Sequence, residues 1–414
     1  MNNSIPDIAR RARAASRQLK AVSGKCRAEA LNLMAGKLIS CKEELMAANA
    51  ADLAAAPGLS DAFRKRLQIT EKIFKYMVDR LQEAAALPDP VGRVLEGHTM
   101  PSGLQVKRLS IPIGVIAIIY EARPNVTTDA AAVALKSGNA VILKGGSESL
   151  RTNMVLAAAM RSAACEAGLP EDAIQLIEST DRAAVAELLR QEEFVDLIIP
   201  RGGKSLIKAI SEGTRIPVLK HYDGICHLYA ACDADSEMTA SLVVNSKCQR
   251  VEVCNALESL LIDSASAVRL LPVVAAALRE KGVELRGCPR CLALDPDFLP
   301  ATEEDWSTEY LGPVLSVKIV DGINEAMDHI ARYGSGHTDG IITDSLELAE
   351  TFVAGVDSAS VLVNASTRLS GGGDYGMGAV VGISTDKLHA RGPVGPAELC
   401  TYKWVAVGNG QTRS

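Results

Sequence analysis

Val115-Ile116-Ala117-Ile118-Ile119 is an uninterrupted apolar run rich in β-branched residues. Such a run, without polar alternation, predicts a strand buried on both faces. Residues 126–137 have helical spacing, and Ala140-Val141-Ile142-Leu143 is a second run of the same kind. A helix follows around 151–167, then Ile174-Gln175-Leu176-Ile177, a helix at 181–190, and Val195-Asp196-Leu197-Ile198-Ile199. Buried strands alternating with helices predict an α/β domain with a doubly wound parallel sheet, whose ligands bind at the carboxyl ends of the strands.

Upstream, residues 5–88 are rich in Ala, Leu, Lys and Glu with helical spacing, and Pro88, Pro90 and Gly92 end that helical leader. Gly97 to Leu109 alternates, with Pro101-Ser102-Gly103 as turn chemistry, so a hairpin is expected. Downstream, a second alternating half contains a helix at 264–281, strands at 314–319, 340–343 and 360–363, and helices at 322–333 and 345–354. The chain closes with an extended piece, Leu399 to Val407. A hairpin and an extended tail outside both halves suggest strands added to a neighbouring subunit.

Two loops stand at predicted carboxyl ends: Lys144-Gly145-Gly146-Ser147-Glu148 and Arg201-Gly202-Gly203-Lys204. Glycines there let a phosphate approach backbone N–H groups, but paired glycines also make plain tight turns. Between the two halves lies Asn245-Ser246-Lys247-Cys248-Gln249-Arg250-Val251-Glu252-Val253-Cys254-Asn255. A helical run enters it and the strand-like Leu260-Leu261-Ile262 leaves it, so Cys254 falls at a junction. The stretch alone leaves Cys254 open to two readings, a small buried hydrophobe or a nucleophile.

Composition narrows the class. With 414 residues, 48% hydrophobic and 23% charged, the chain is expected to be a globular protein of two or three domains. A net charge of -6 gives no footprint for nucleic acid. No apolar run reaches the roughly 18 residues of a spanning helix, so no membrane association is expected. The Arg-rich start, with Arg10, Arg11, Arg13 and Arg17, resembles a transit peptide in charge, but Asp7 and the helical continuation favour a first structural helix. Ten cysteines without a dense framework fit free thiols in a reducing cytoplasm. Cys288-Pro289-Arg290-Cys291 has no second ligand pair, and no metal site is expected.

Further blocks carry a resemblance. Ile111-Pro112-Ile113-Gly114-Val115 with Tyr120-Glu121-Ala122-Arg123-Pro124-Asn125-Val126-Thr127, the segment His329 to Asp339, Tyr375-Gly376-Met377-Gly378, and Thr385 to Pro393 resemble the gamma-glutamyl phosphate reductases. These glutamate-5-semialdehyde dehydrogenases form a branch of the aldehyde dehydrogenase superfamily, and the likeness runs over essentially the whole chain. It implies two doubly wound domains plus a β-strand oligomerisation extension. Residues 1–94 and 110–223 would form a dinucleotide-binding domain and 224–385 a catalytic domain. The oligomerisation strands would be 95–109 and 396–412.

The resemblance also implies roles. Cys254 falls on the nucleophile, and Asn125 on the amide that shares the oxyanion hole with the Cys254 N–H. Lys144, Gly145, Ser147 and Glu148 match the segment around the adenosine ribose, and Glu309 matches the glutamate at the nicotinamide ribose; Gly202 and Gly203 join the cofactor set. Lys220-His221-Tyr222-Asp223-Gly224 stands where hydrolytic relatives carry a water-activating glutamate. The implied reaction is NADPH-dependent reduction of L-glutamyl 5-phosphate to glutamate 5-semialdehyde, in proline biosynthesis, through a Cys254 thioester. A dimer or tetramer, coupling to glutamate 5-kinase and a cytoplasmic location go with it.

Arg123, Arg201, Arg250, His221, His337 and Arg391 are candidate anion binders, with Arg250, Arg123 and His337 put forward for substrate. Cys248, Val251-Glu252 and Leu369-Ser370-Gly371 depart from the family pattern. Cys248 reads as a core thiol, with a protective disulfide to Cys254 as the other possibility. Competing functions are a CoA-dependent acylating relative, a non-catalytic structural relative, and a cysteine hydrolase, for which no His/Asn partner set stands at recognisable spacing.

Overall fold

The computed structural model describes residues 4–58 and 61–413. The chain divides into two compact units, one of residues 1–220, 376–382 and 388–414, the other of 221–375 and 383–387.

The first unit opens with the helical leader: Ile5–Leu19, Gly24–Ser40, Lys42–Ala55, Asp61–Leu67 and Glu71–Ala86. Ser4, Ser23 and Thr70 cap three of these by accepting backbone N–H groups of the first turn. Ile5, Ile8, Ala12, Ala15 and Leu19 form the buried stripe of the first helix. The break at Pro88 and Pro90 is tied back by Asp89, which accepts from the buried Arg27 guanidinium at 2.7 and 2.8 Å.

The leader packs on a four-stranded parallel sheet in the order Ile174–Leu176, Ala140–Lys144, Val115–Tyr120, Leu197–Arg201. Strand order reverses between Val115–Tyr120 and Leu197–Arg201, which makes their carboxyl ends a topological switch point. Register sets Ile119 beside Lys144 and Tyr120 beside Arg201. The loops after Lys144, Tyr120 and Arg201 therefore leave the same edge of the sheet.

The hairpin forms, with Val94–Thr99 paired to Gln105–Pro112, and Met100 N–H donates to Leu104 O at 2.8 Å across its turn. The tail, Cys400–Val407, pairs with Gln105–Pro112 in the same chain, giving a three-stranded antiparallel sheet. Hairpin and tail, both expected as strands that extend toward a neighbouring subunit, pair with each other within one chain. Residues 376–382, expected in the catalytic domain, belong to the first unit instead. Val381 N–H donates to Val394 O, Val394 N–H to Gly382 O, and the Arg201 guanidinium lies against Gly382.

The second unit is built on a seven-stranded parallel sheet. Its order is Leu299–Pro300, Glu284–Gly287, Val314–Val320, Leu257–Asp263, Cys226–Ala230, Thr338–Ile342, Ser360–Val363. The interior strand Cys226–Ala230 escapes an apolar-run reading because His227 interrupts it. That ring is fully buried, with Nδ1 2.8 Å from Asp339 Oδ1. Among the described residues no helix is long and apolar enough to cross a membrane.

Candidate active site

Three neighbouring strands of the second unit share one feature at their amino ends. Gly224 precedes Cys226–Ala230, Cys254 precedes Leu257–Asp263, and His337 precedes Thr338–Ile342. Parallel pairing brings these starts together. The site of this unit thus lies at the amino edge of its sheet, opposite to the carboxyl-edge rule used to read the first half. Cys254 sits half-buried in the turn between the helix Ser236–Cys248 and its strand.

The backbone around Cys254 is fixed from several directions. Gly224 N–H donates to Glu309 Oε1 at 2.9 Å, and a β-carbon at Gly224 would meet Cys254 O at 1.9 Å. Cys226 Sγ donates to the Cys254 carbonyl at 3.3 Å. Burial pushes the Cys226 thiol well above its usual range, so it remains a thiol donor. Lys247 Nζ lies 2.6 Å from Glu258 Oε2, with 0% and 1% of the two side chains exposed. Burial drives both toward their neutral forms, raising Glu258 to about 7 and lowering Lys247, while their mutual attraction opposes it. Glu258 Oε1 also accepts Leu311 N–H at 3.2 Å, so one carboxyl holds both the helix that delivers Cys254 and the loop that carries Glu309.

Two histidines converge on the thiol. Ligand atoms of His221, Cys254 and His337 lie within 4.8 Å of one another, and the two rings meet edge-on at 5.6 Å. His337, put forward as an anion binder, is 0% exposed, and burial lowers it to about 4. It is neutral at physiological pH, so it is not the cation that this role assumed. Arg250 is 59% exposed and pairs with Glu252 at 2.9 Å.

Arg368 was not singled out from the sequence. It is half-buried, its Nη1 donates to Asn255 Oδ1, and its Nε donates to Gln249 Oε1 at 2.9 Å. Burial lowers its pKa first and Arg250 second, with the opposite pull from Cys254. A guanidinium thus shares the electrostatic surroundings of the thiol. The only hint in the chain was its place beside the divergent Leu369-Ser370-Gly371. Ser370 is buried and accepts from Asn255 Nδ2 at 3.3 Å and Thr338 Oγ1 at 2.9 Å. Cys248 packs against the apolar core of this unit, and burial raises its thiol. That supports the core-thiol reading.

In the first unit, Lys144 ends its strand buried, with Nζ donating to Gly145 O at 2.7 Å. Burial lowers its pKa, and Glu148 opposes this. A β-carbon at Gly145 would lie 2.2 Å from Asn153 Nδ2, and one at Gly146 would lie 2.7 Å from Glu148 Oε2. Ser147 is exposed at the start of a short helical turn. The Gly202-Gly203 loop differs from its expected role as a bare phosphate cradle. Gly203 N–H donates to Glu121 Oε1 at 3.1 Å, and a β-carbon at Gly202 would also touch that carboxylate. A carboxylate at the switch point repels a phosphate from those N–H groups.

Asn125 begins the helix Asn125–Lys136, and its Nδ2 lies 3.3 Å from Asp129 Oδ2. Burial raises Asp129 to about 7 despite this hydrogen bond, and its Oδ1 has no partner among the described residues. Arg123 is half-buried in the turn before that helix.

The aldehyde dehydrogenase family model matches residues 2–284. The crystal structure of a gamma-glutamyl phosphate reductase from Thermotoga maritima is 40% identical, covers 99% of this chain and 100% of its own, and superposes with a TM-score of 0.97. One from Saccharomyces cerevisiae is 31% identical over 99% of this chain and 98% of its own, with a TM-score of 0.54. An acetylating aldehyde dehydrogenase from Geobacillus thermoglucosidasius covers 99% of this chain and 97% of its own with a TM-score of 0.70, but at 19% identity it shares the fold alone. Likeness of this extent, over nearly the full length of two gamma-glutamyl phosphate reductases, places the chain within that branch of the aldehyde dehydrogenase family.

Proposed function

We propose that the protein reduces L-glutamyl 5-phosphate to L-glutamate 5-semialdehyde and phosphate, with Cys254 as nucleophile. The observation that carries this reading is the 40% identity to the Thermotoga reductase over 99% of the chain. The half-exposed thiol at the amino edge of the second sheet supports it. The Cys254 thiolate attacks the acyl carbonyl, the S–C bond forms, and phosphate leaves with the electron pair of the broken C–O bond. The resulting thioester accepts hydride at carbon to give a hemithioacetal anion, which collapses to aldehyde and regenerates the thiolate. A bound nicotinamide cofactor, NADPH on this reading, supplies that hydride.

The residues present fit such a cofactor at the Lys144 loop, where Gly146 is partly exposed and Ser147 is exposed at the start of a short helical turn. Lys144, Gly145, Ser147 and Glu148 would hold its adenosine end and Glu309 its nicotinamide ribose. Asn125 would donate its amide to the oxygen on which charge develops. Arg250 and Arg368 are the cations that would hold substrate anions, and Arg123 is retained with them. A reducing cytoplasmic setting goes with this reading, with the cysteines kept as thiols. The three-stranded sheet supports a homo-oligomer, since Tyr402 and Trp404 are 48% and 54% exposed on it. An unstable acyl phosphate favours functional coupling to the kinase that makes it.

The test runs the reaction backwards, as phosphate-dependent NADP reduction with glutamate 5-semialdehyde. Activity should require phosphate and disappear in Cys254→Ala. Equal rates without phosphate, or in that variant, would overturn the reading.

A further inference from the structure

We propose that His221, Cys254 and His337 form a binding site for a soft divalent cation of the zinc class, and that a cation held there closes the thiol to chemistry. The inference stands on the geometry of the second unit and does not depend on which substrate the thiol attacks.

The hydrogen bonds fix which ring atoms are available. His337 Nδ1 lies 2.8 Å from Thr338 Oγ1. The Thr338 hydroxyl donates to Ser370 Oγ at 2.9 Å, and Ser370 donates to the Thr367 carbonyl at 2.9 Å. Because this relay ends on a carbonyl, which only accepts, every proton in it points away from His337. Nδ1 therefore carries the hydrogen, and Nε2 is left with its lone pair. That Nε2 is buried with no hydrogen-bond partner among the described residues, in a residue 0% exposed. A buried acceptor without a partner is unfavourable until something approaches it.

His221 repeats the pattern with Nδ1 2.8 Å from the Ile383 carbonyl, so its Nε2 is likewise the lone-pair atom. An imidazole that donates one N–H to an oxygen and offers the other nitrogen is the arrangement that metal-binding histidines adopt. With Cys254 Sγ these atoms make an N2S set that suits zinc and not magnesium or calcium. A tetrahedral zinc spaces its ligand atoms about 3.3–3.6 Å apart, and here one nitrogen of each ring and the sulfur lie within 4.8 Å of one another. His337 is held by its relay and His221 by the Ile383 carbonyl, so the half-buried Cys254 side chain and the two rings must draw together on binding. The fourth position is left for water. On binding, the Cys254 S–H bond breaks and its proton goes to solvent.

The full chain, with zinc set by a metal buffer, tests this through the rate at which iodoacetamide alkylates Cys254, followed by peptide mass. Zinc should slow alkylation at least ~10-fold, magnesium should not, and a chelator should restore the rate. Cobalt in place of zinc should give a thiolate-to-metal charge-transfer band that Cys254→Ser lacks. The zinc concentration needed should rise at least ~10-fold in His221→Ala and in His337→Gln, but not in Cys288→Ser, which removes half of a separate thiol pair, Cys288 and Cys291, whose sulfurs lie 3.6 Å apart. The wild-type measurement needs no variant to fold. Unchanged alkylation in zinc, protection that survives loss of either histidine, or protection lost in Cys288→Ser would overturn the site.

Discussion

Gly224 passes directly against the carbonyl of Cys254: a β-carbon there would lie 1.9 Å from Cys254 O and 2.7 Å from its Cα. The neighbour is backbone, so no side-chain rotation relieves the clash. Gly224→Ala must therefore push the turn that carries the thiol, or lose the Gly224 N–H bond to Glu309. A shift near 1 Å at a reacting atom costs about 100-fold in rate. The expected outcome is a fall of that order in kcat, with a stability loss of about 1–3 kcal/mol from overpacking. Steady-state kinetics beside urea denaturation measure both, and a variant with normal kcat would show that the turn yields freely.

Gly145→Ala should act on the cofactor. Its β-carbon would fall 2.2 Å from Asn153 Nδ2. Asn153 is buried, donating to Ser149 Oγ at 3.0 Å and accepting from Thr127 Oγ1 at 2.9 Å, so it has no free direction in which to move. The loop after Lys144 must shift instead. NADPH KM is expected to rise about 10-fold or more while kcat at saturation changes less, the pattern of weakened ground-state binding. An unchanged KM would move the cofactor away from this loop.

The strands that positioned these loops were legible because they are apolar on both faces, as in Val115–Tyr120 and Ala140–Lys144. Cys226–Ala230 was not, since a buried His227 looks polar in a sequence and becomes acceptable only against Asp339, far along the chain. The same limit hid the surroundings of Cys254. His221 and His337 meet it because Cys226–Ala230 lies between Leu257–Asp263 and Thr338–Ile342. Sheet order is a property of the packed whole that periodicity does not carry. Arg368 was hidden for a different reason, as one guanidinium among many until burial and Asn255 distinguish it.

Lys247 and Glu258 should show strong coupling. Lys247→Met leaves a buried carboxyl without its cation, which costs about 3–5 kcal/mol. Lys247→Met combined with Glu258→Leu removes both charges and should recover part of that loss. It leaves Leu311 N–H without its 3.2 Å acceptor, so about 1–3 kcal/mol should remain. Chemical denaturation of the two singles and the double measures the coupling. Additive losses would mean that the pair contributes no mutual stabilisation.

Asp129 should make stability depend on pH in a direction opposite to that of a salt-bridged carboxylate. Burial lifts its folded pKa from 3.8 to about 7, against the pull of Asn125, Arg80 and Arg201, with Glu83 adding to the lift. Between about pH 4 and pH 7 the folded chain therefore holds a proton that the unfolded chain has released. Stability falls as pH rises through that window and levels off above it. Asp129→Asn keeps a neutral side chain of the same shape at every pH. It should flatten the slope and gain on the order of 1–3 kcal/mol over the parent at pH 8, with little difference at pH 4. Urea denaturation at pH 4.5, 6 and 8 distinguishes the two proteins. Parallel pH profiles would mean that Asp129 is ionised in the folded state at neutral pH, and would make the Asn125 amide a donor to a carboxylate and not to a carboxylic acid.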